Sequence, residues 1–278
     1  MRDLMTMDIF GEHPSVPIGV AILIALYLGA CRVIGRKPSR RQAMWFALAM
    51  AAILYAHTEL DELADARIFS MHMLQHLLET FVIPPLLLLG TPGWMIHRIV
   101  LSRPIKPITR VLTNPLVAFL IFSAVFVTAH FPPVFEHMCR NENFHIFLHL
   151  MFMTAGVLLW WPILSPMPEL PRLSYPAQIL YLFLLMIPMT AVAAPITLAT
   201  SVIYPWYTEA AHGWGLNPID DQVLGGLLMW IGQGTYLMFI FTFIFYKWAQ
   251  LEDRDIPIFP AAQTPALHIL RSHRTPIA

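Results

Sequence analysis

Residues 71–90 read MHMLQHLLETFVIPPLLLLG, a largely apolar run in which two histidines, one glutamate and two prolines are embedded. A helix needs roughly 20 mostly apolar residues to cross the hydrocarbon layer of a membrane, and this run has that length. His72 and His76 are four residues apart and Glu79 follows three residues later, so all three lie on one helical face. Pro84-Pro85 predicts a kink, which a membrane helix tolerates where neighbouring helices satisfy the freed carbonyls. The run therefore predicts a membrane span with one polar face.

The composition of the whole chain agrees with that prediction. The chain has 278 residues, of which 57% are hydrophobic and 12% charged, with 17 basic and 17 acidic side chains. A soluble domain usually has about 25% charged residues, so this chain cannot cover a soluble surface. The zero net charge excludes the basic footprint of a nucleic-acid-binding protein. Two cysteines are too few for a disulfide framework. The composition predicts an all-α polytopic membrane protein.

Seven stretches of the chain are apolar and long enough to form membrane helices. They lie near residues 16–34, 42–57, 71–90, 115–130, 145–163, 175–199 and 224–246. The connecting loops are too short for a soluble domain. We therefore expect an outer N-terminal tail (1–15), a seven-helix transmembrane domain (16–246) and a cytoplasmic C-terminal tail (247–278).

The positive charges are distributed unevenly between the two ends of the spans. Fourteen of the 17 lysines and arginines follow spans one, three, five and seven, and only Arg2, Arg67 and Arg140 lie on the other side. Cytoplasmic loops of membrane proteins carry the excess of basic residues. The distribution predicts an outer N-terminus, a cytoplasmic C-terminus and an odd number of spans.

Nine of the twelve histidines lie at or near the predicted outer ends of the spans. Two pairs are spaced four residues apart, His72/His76 opening span three and His145/His149 opening span five. Residues at this spacing are neighbours on a helix, so each pair converges on one ion or cofactor or forms interhelical hydrogen bonds. Because both helices run inward from the outer face, both pairs lie at the same depth. Two further histidines end spans two and four at that level, His57 and His130.

Other side chains near these pairs are candidate ligands or ligand partners. Met71, Met73 and Met153 supply thioethers, which favour Cu(I), while imidazole suits copper, zinc or iron. Glu79 is an intramembrane carboxylate and therefore a functional candidate, as a ligand, a proton acceptor or a partner that orients an imidazole. Asp221 either caps the N-terminus of span seven or faces the histidines.

The order of these motifs resembles the CtaG family of cytochrome c oxidase assembly factors, the polytopic family associated with caa-type oxidases. The resemblance covers roughly residues 15–246. It rests on residues 71–76 (MHMLQH), 84–92 (PPLLLLGTP), Asn114-Pro115, His130-Phe131-Pro132, His145-x3-His149, Trp160-Trp161-Pro162 and Asp221-Gln222-x2-Gly225-Gly226. The resemblance implies a bacterial plasma-membrane protein that helps build active haem–copper oxidase. It singles out His72, His76, His145, His149 and Asp221.

Three functional hypotheses follow from the sequence. The leading one is a non-enzymatic assembly factor that binds copper, as transient Cu(I), near the outer face and hands it to a haem–copper oxidase subunit. A periplasmic copper carrier is a candidate partner, the lipid bilayer is the surrounding medium, and no nucleic acid is expected. The second hypothesis is a redox protein with non-covalent bis-histidine haem. The third is a copper transporter, which would need a polar path through the inner halves of the spans.

Overall fold

In a computed structural model, the structure describes residues 15–65, 68–208, 215 and 217–255 of the chain. These residues form helices and contain no strand. Thirteen α-helices follow one another: α1 (Ser15–Ile34), α2 (Arg40–Ala56), α3 (Glu59–Asp65), α4 (Phe69–Leu77), α5 (Ile83–Gly90), α6 (Gly93–Val100), α7 (Lys106–Leu112), α8 (Pro115–Ala129), α9 (Pro132–Arg140), α10 (Glu142–Leu164), α11 (Tyr175–Leu198), α12 (Pro218–Leu227) and α13 (Gln233–Asp255). π-Helical turns at Leu78–Val82 and Leu228–Gly232 join α4 to α5 and α12 to α13, and a 3₁₀ turn occupies Pro205–Thr208.

The long helices coincide with the predicted spans, which confirms an all-helical membrane protein. By length and composition six are suited to cross a membrane. The fourth predicted span, α8, has only 15 residues and reaches the required length together with α7, from which it is bent by 70°. Within the described part of the chain there are therefore six candidate spans, or seven if this bent pair counts as one span. The predicted C-terminal tail begins inside α13, while residues 256–278 and 1–14 lie outside the described residues.

Short polar signals at the helix starts determine where the helices of the site begin. Asn114 precedes α8, and its side-chain oxygen accepts hydrogen bonds from the backbone amides of Leu116 and Val117. Asn141 does the same for α10, with Phe144 as the donor. An N-cap side chain satisfies amides that have no partner within the helix. These caps define the start of α10 and therefore the depth of the histidines that follow.

The central helix of the bundle, Phe69–Gly90, is continuous and contains the π-helical turn Leu78–Val82 directly before Pro84 and Pro85. Pro84 and Pro85 carry no N–H, so the carbonyls of Thr80 and Phe81, four residues earlier, lose their helical donors. The Trp160 indole Nε1–H donates to the Thr80 carbonyl at 2.8 Å, and the Tyr236 hydroxyl donates to the Phe81 carbonyl at 2.6 Å. Two neighbouring helices thus supply the hydrogen bonds that the prolines removed.

Two glycines lie where neighbouring helices approach this central helix most closely. At Gly156 of α10 an added Cβ would lie 2.8 Å from the Pro84 ring and 3.2 Å from the Glu79 carbonyl oxygen. At Gly90 an added Cβ would lie 2.6 Å from the backbone nitrogen of Phe46 in α2. Because both approaches exclude a side chain, glycine is required for α2 and α10 to pack this tightly on the central helix.

Candidate metal centre

Six histidines come together at one end of the bundle. They lie on four segments that the predicted spans had placed at one depth. His57 follows the last residue of α2, His130 follows the last residue of α8, His72 and His76 lie on α4, and His145 and His149 lie on α10. The structure thus joins both predicted pairs and both additional histidines in a single cluster.

Three of these imidazoles form the tightest group. One ring nitrogen from each of His72, His76 and His149 lies within 4.8 Å of the other two. The three side chains are only 2%, 4% and 5% exposed. Their ring centroids are 4.4 Å apart for His72 and His76, 5.0 Å for His76 and His149, and 5.5 Å for His72 and His149. We call this group the nitrogen triad.

The triad contains buried nitrogens that have no hydrogen-bond partner. These are His72 Nε2, His149 Nε2 and both ring nitrogens of His76. Leaving a buried polar group unsatisfied costs about 1–3 kcal/mol, so folded proteins rarely bring several such groups together. Each neutral imidazole offers one nitrogen lone pair, and three of them at this spacing form a candidate ligand set for a metal ion.

Glu79 supports the triad from the π-helical turn below α4. Its side chain is fully buried, and Oε1 lies 2.6 Å from His149 Nδ1. An imidazole that donates one N–H to a carboxylate keeps the lone pair of its other nitrogen free for a metal. This contact fits the role of a partner that orients an imidazole, one of the three predicted for Glu79, and leaves His149 Nε2 available as a ligand atom.

The same carboxylate approaches a second histidine. His57 Nε2 lies 3.1 Å from Glu79 Oε1, although the ring is not aligned for a hydrogen bond to that atom. The other oxygen, Glu79 Oε2, is buried without a hydrogen-bond partner. Glu79 thus lies between His57 and His149 and has one oxygen that none of the described residues contacts through a hydrogen bond.

The remaining predicted histidines lie around the triad and outside the tight group. The half-buried ring of His145 lies 4.4 Å from that of His149 and 5.5 Å from that of His72. His130 Nδ1 donates to the Phe126 carbonyl at 2.7 Å, and its ring is 5.6 Å from that of His76. Ligation by His145 and His130 stays a prediction, with both rings adjacent to the candidate centre.

The packing of the methionines gives sulfur ligation little support. Met73 is fully buried, and its Cγ lies 3.2 Å from the position that a Cβ on Gly225 would take, so its side chain lies against α12. Met153 packs against the small core that α2 forms with Ile83. Met71 is half-buried on α4. The nitrogen triad is therefore formed by imidazoles, and thioether ligands stay a prediction.

Asp221 has a different role from both of those predicted. Its carboxylate accepts hydrogen bonds from the backbone amides of Phe69 at 2.6 Å and Ser70 at 3.1 Å, which begin α4. The start of its own helix is capped instead by Asn217, whose side chain accepts from the Ile219 amide. The prediction that Asp221 caps span seven is wrong, because the carboxylate crosses to the neighbouring helix. A carboxylate at a helix N-terminus stabilises that helix, so Asp221 holds the start of the segment that carries His72 and His76.

Gln75 is a positioning residue that the sequence reasoning missed. Its fully buried side-chain amide donates to the Ala56 carbonyl at 3.0 Å and to Asp61 Oδ1 at 2.7 Å. These bonds attach the histidine-bearing turn of α4 to the end of α2, where His57 follows. A glutamine between two histidines carries no sequence signal for this contact, because the identity of its partners depends on which helix ends beside it.

The fold and this cluster define a class: a polytopic helical membrane protein with a buried histidine centre at one end of its bundle. The family model described as cytochrome c oxidase caa3 assembly factor (Caa3_CtaG) matches residues 25–251. The chain belongs to this family of assembly factors, which confirms the resemblance carried by the sequence motifs.

Curated relatives of the chain occur in mycobacteria. Uncharacterized proteins of Mycobacterium bovis and Mycobacterium tuberculosis are each 27% identical to it over 242 residues, and one of Mycobacterium leprae is 24% identical. The match covers 78% of this chain and 35% of each relative, so the chain spans about a third of their length. No solved structure matches the chain.

Proposed function

We propose that the protein binds Cu(I) transiently at the nitrogen triad and assists its delivery to a haem–copper oxidase during assembly. The family supplies the assembly role. The observation that carries the copper proposal is the triad itself: three buried imidazoles whose ligand nitrogens lie within 4.8 Å of one another and include unpartnered atoms. The role is that of a non-enzymatic carrier, since binding and release need no chemical step.

The composition of the triad favours Cu(I) over harder ions. Magnesium and calcium require oxygen ligands, and the triad offers only nitrogen. Three neutral imidazoles suit copper, and the set lacks the thiolate cage of a permanently closed site. A three-nitrogen site therefore permits both capture and release, as a delivery factor requires.

The proposed location is the outer half of the bacterial plasma membrane. The excess of basic residues after the odd-numbered spans supports an outer N-terminus and a cytoplasmic C-terminus. In that orientation the histidine cluster faces the periplasmic side. There a periplasmic copper carrier is a candidate donor and an oxidase subunit the candidate acceptor.

The packing favours this function over the two alternatives. Haem between His72 and His149 would have to take the space of His76 and His145, whose rings contact both. A transporter needs a polar path past the cluster, but buried Phe81, Leu159 and Trp160 fill the described bundle beyond Glu79. A carrier that loads and unloads at one face needs neither a haem slot nor a path.

Metal binding by the purified full-length chain tests the proposal. Under reducing conditions we expect Cu(I) to be withheld from a chromogenic chelator, and the preparation to lack a Soret band. The double variant His72→Ala/His149→Ala should release Cu(I), whereas His137→Ala, which changes an exposed histidine of α9, should retain it. In cells, the double variant should leave oxidase assembled but deficient in copper. Copper-replete oxidase in that strain would contradict the proposal.

A further inference from the structure

A second group of ligand atoms lies beside the nitrogen triad and shares His149 with it. One atom each from His57, Glu79 and His149 lies within 4.8 Å of the other two. The side chain of Glu79 is fully buried and that of His57 is 13% exposed. Glu79 Oε2 has no partner. The triad accounts for Glu79 only as the acceptor from His149, so the free oxygen and His57 are left unexplained.

The two groups share His149, and we assign a different one of its two nitrogens to each group. His149 Nδ1 lies on the Glu79 side, 2.6 Å from the carboxylate, and Nε2 is its nitrogen without a partner. A neutral imidazole carries a proton on one nitrogen and a lone pair on the other. A metal bound at Nε2 therefore requires the proton on Nδ1, and a metal bound at Nδ1 requires it on Nε2. The two groups cannot both use a neutral His149 as a ligand.

The two groups also differ in chemical character. The triad offers three neutral nitrogens, whereas the second group offers two nitrogens and an anionic oxygen. Two histidines with one carboxylate form the ligand set of divalent ions such as Fe²⁺ and catalytic Zn²⁺. A carboxylate in a buried site also offsets more of the charge of a divalent ion than neutral imidazoles do.

We propose that His57, Glu79 and His149 form a second cation position that takes a divalent ion and excludes Cu(I) from the triad while it is filled. This rests on the proposed function, because the triad is taken as the Cu(I) position. The chain then holds one cation at a time, and the proton of His149 moves between its two nitrogens when the ion class changes. Divalent ions at the outer face would act as competitive inhibitors of copper loading.

His57 is the residue that separates the two positions. It belongs to the second group and contributes no atom to the triad, whereas Glu79 and His149 serve both. We expect His57→Ala to weaken Zn²⁺ binding by about tenfold or more and to change Cu(I) binding by less than about threefold. His76→Ala should show the reverse pattern, since His76 contributes to the triad alone.

The experiment measures Zn²⁺ binding by competition with a zinc indicator and Cu(I) binding by competition with a chelator, each on the full chain in detergent. His57→Gln, which keeps a polar side chain near Ala56, repeats the test if His57→Ala unfolds. In wild type, saturating Zn²⁺ should lower apparent Cu(I) affinity, and the two ions should never be bound together. In His57→Ala, the Zn²⁺ concentration needed to lower the apparent Cu(I) affinity should be about tenfold higher.

Each contrary result overturns the proposal. Simultaneous binding of both ions would remove the sharing of His149, and equal losses for Zn²⁺ and Cu(I) in His57→Ala would leave a single site. Unchanged Zn²⁺ affinity in both His57 variants would place the divalent ion elsewhere. Failure of the proposed function can be distinguished from failure of this inference, because the zinc assay runs without copper. If Zn²⁺ binding depends on His57 but the protein binds no Cu(I), the second cation position stands and the proposed Cu(I) carrier function is wrong.

Discussion

The central helix, Phe69–Gly90, has two halves that differ in whether their buried polar groups have hydrogen-bond partners. In the proline half, residues 80–90, the carbonyls freed by Pro84 and Pro85 each receive a hydrogen bond, from Trp160 and Tyr236. In the histidine half, residues 69–79, polar atoms of His72, His76 and Glu79 are buried without a partner.

The difference shows which half is built for stability and which for binding. Satisfying a buried carbonyl takes one donor at the right place, and the bundle provides a donor for both carbonyls. The same bundle provides none for the triad, although each unsatisfied group lowers stability. A folded chain keeps unsatisfied nitrogens together where a ligand supplies the missing interaction, and a bound cation does so for three nitrogens at once.

The largest effect is expected from removing a triad ligand. His149→Leu deletes a ligand nitrogen and the bond to Glu79 together. Loss of an outer partner alone typically lowers metal affinity 10–100-fold, so loss of this ligand should lower Cu(I) affinity at least about 1,000-fold, or roughly 4 kcal/mol. Chelator competition measures it, and His137→Ala is the control. A loss smaller than tenfold would remove His149 from the centre.

The next effect concerns the cap that holds the histidine half in place. Asp221→Ala leaves the buried amides of Phe69 and Ser70 without an acceptor, which should lower the free energy of unfolding by about 2–3 kcal/mol. Denaturant unfolding in detergent measures the change. Asp220→Ala is the matched control, because Asp220 is the exposed neighbour on the same turn. Equal stabilities of the two variants would contradict the capping role.

Much of this comparison could be predicted from the sequence. The i, i+4 pairs and the histidines at the ends of spans two and four were sufficient to predict one cluster at one depth. Pro84-Pro85 was sufficient to predict that neighbouring helices satisfy the carbonyls that the prolines free. These inferences need only helix geometry and the thickness of a membrane, which are the same for every chain.

The hydrogen-bond partners that lie on neighbouring helices could not be predicted from the sequence. Asp221 lies in the first turn of its own helix, α12. Whether its carboxylate instead accepts hydrogen bonds from the start of α4 depends on how α12 packs against α4. The π-helical turn that carries Glu79 has no sequence signal of its own beyond the prolines that follow it. α8 is too short to span a membrane alone, so the number of candidate spans depends on whether α7 is counted with it. The hydropathy of either segment alone does not show this dependence.

A smaller effect is expected in the proline half. Tyr236→Phe removes the donor to the Phe81 carbonyl while keeping the ring, and Tyr236 is only half-buried. The free energy of unfolding should fall by about 1 kcal/mol, and Cu(I) affinity should stay within about twofold of wild type. Tyr246→Phe changes an exposed tyrosine of the same helix and controls for loss of a hydroxyl. A large loss of copper affinity in Tyr236→Phe would mean that the two halves are not independent.

The sharpest comparison is between two adjacent residues of α4, one of which is expected to change stability the least when it is replaced. Gln75 and His76 are adjacent and buried. Gln75 Nε2 donates to two acceptors and only its Oε1 lacks a partner, whereas both nitrogens of His76 lack one among the described residues. Gln75→Leu should therefore lower the free energy of unfolding by about 2 kcal/mol, because it leaves the Ala56 carbonyl without its donor.

His76→Leu removes two unsatisfied nitrogens and places an apolar side chain against Phe152, whose ring lies 4.4 Å from that of His76. In the absence of metal its free energy of unfolding should match that of wild type or exceed it by up to about 1 kcal/mol, while Cu(I) binding is lost. Parallel unfolding of both variants in chelator measures the contrast. If His76→Leu destabilises the metal-free protein as much as Gln75→Leu does, His76 is a structural residue and the unpartnered nitrogens are not reserved for an ion.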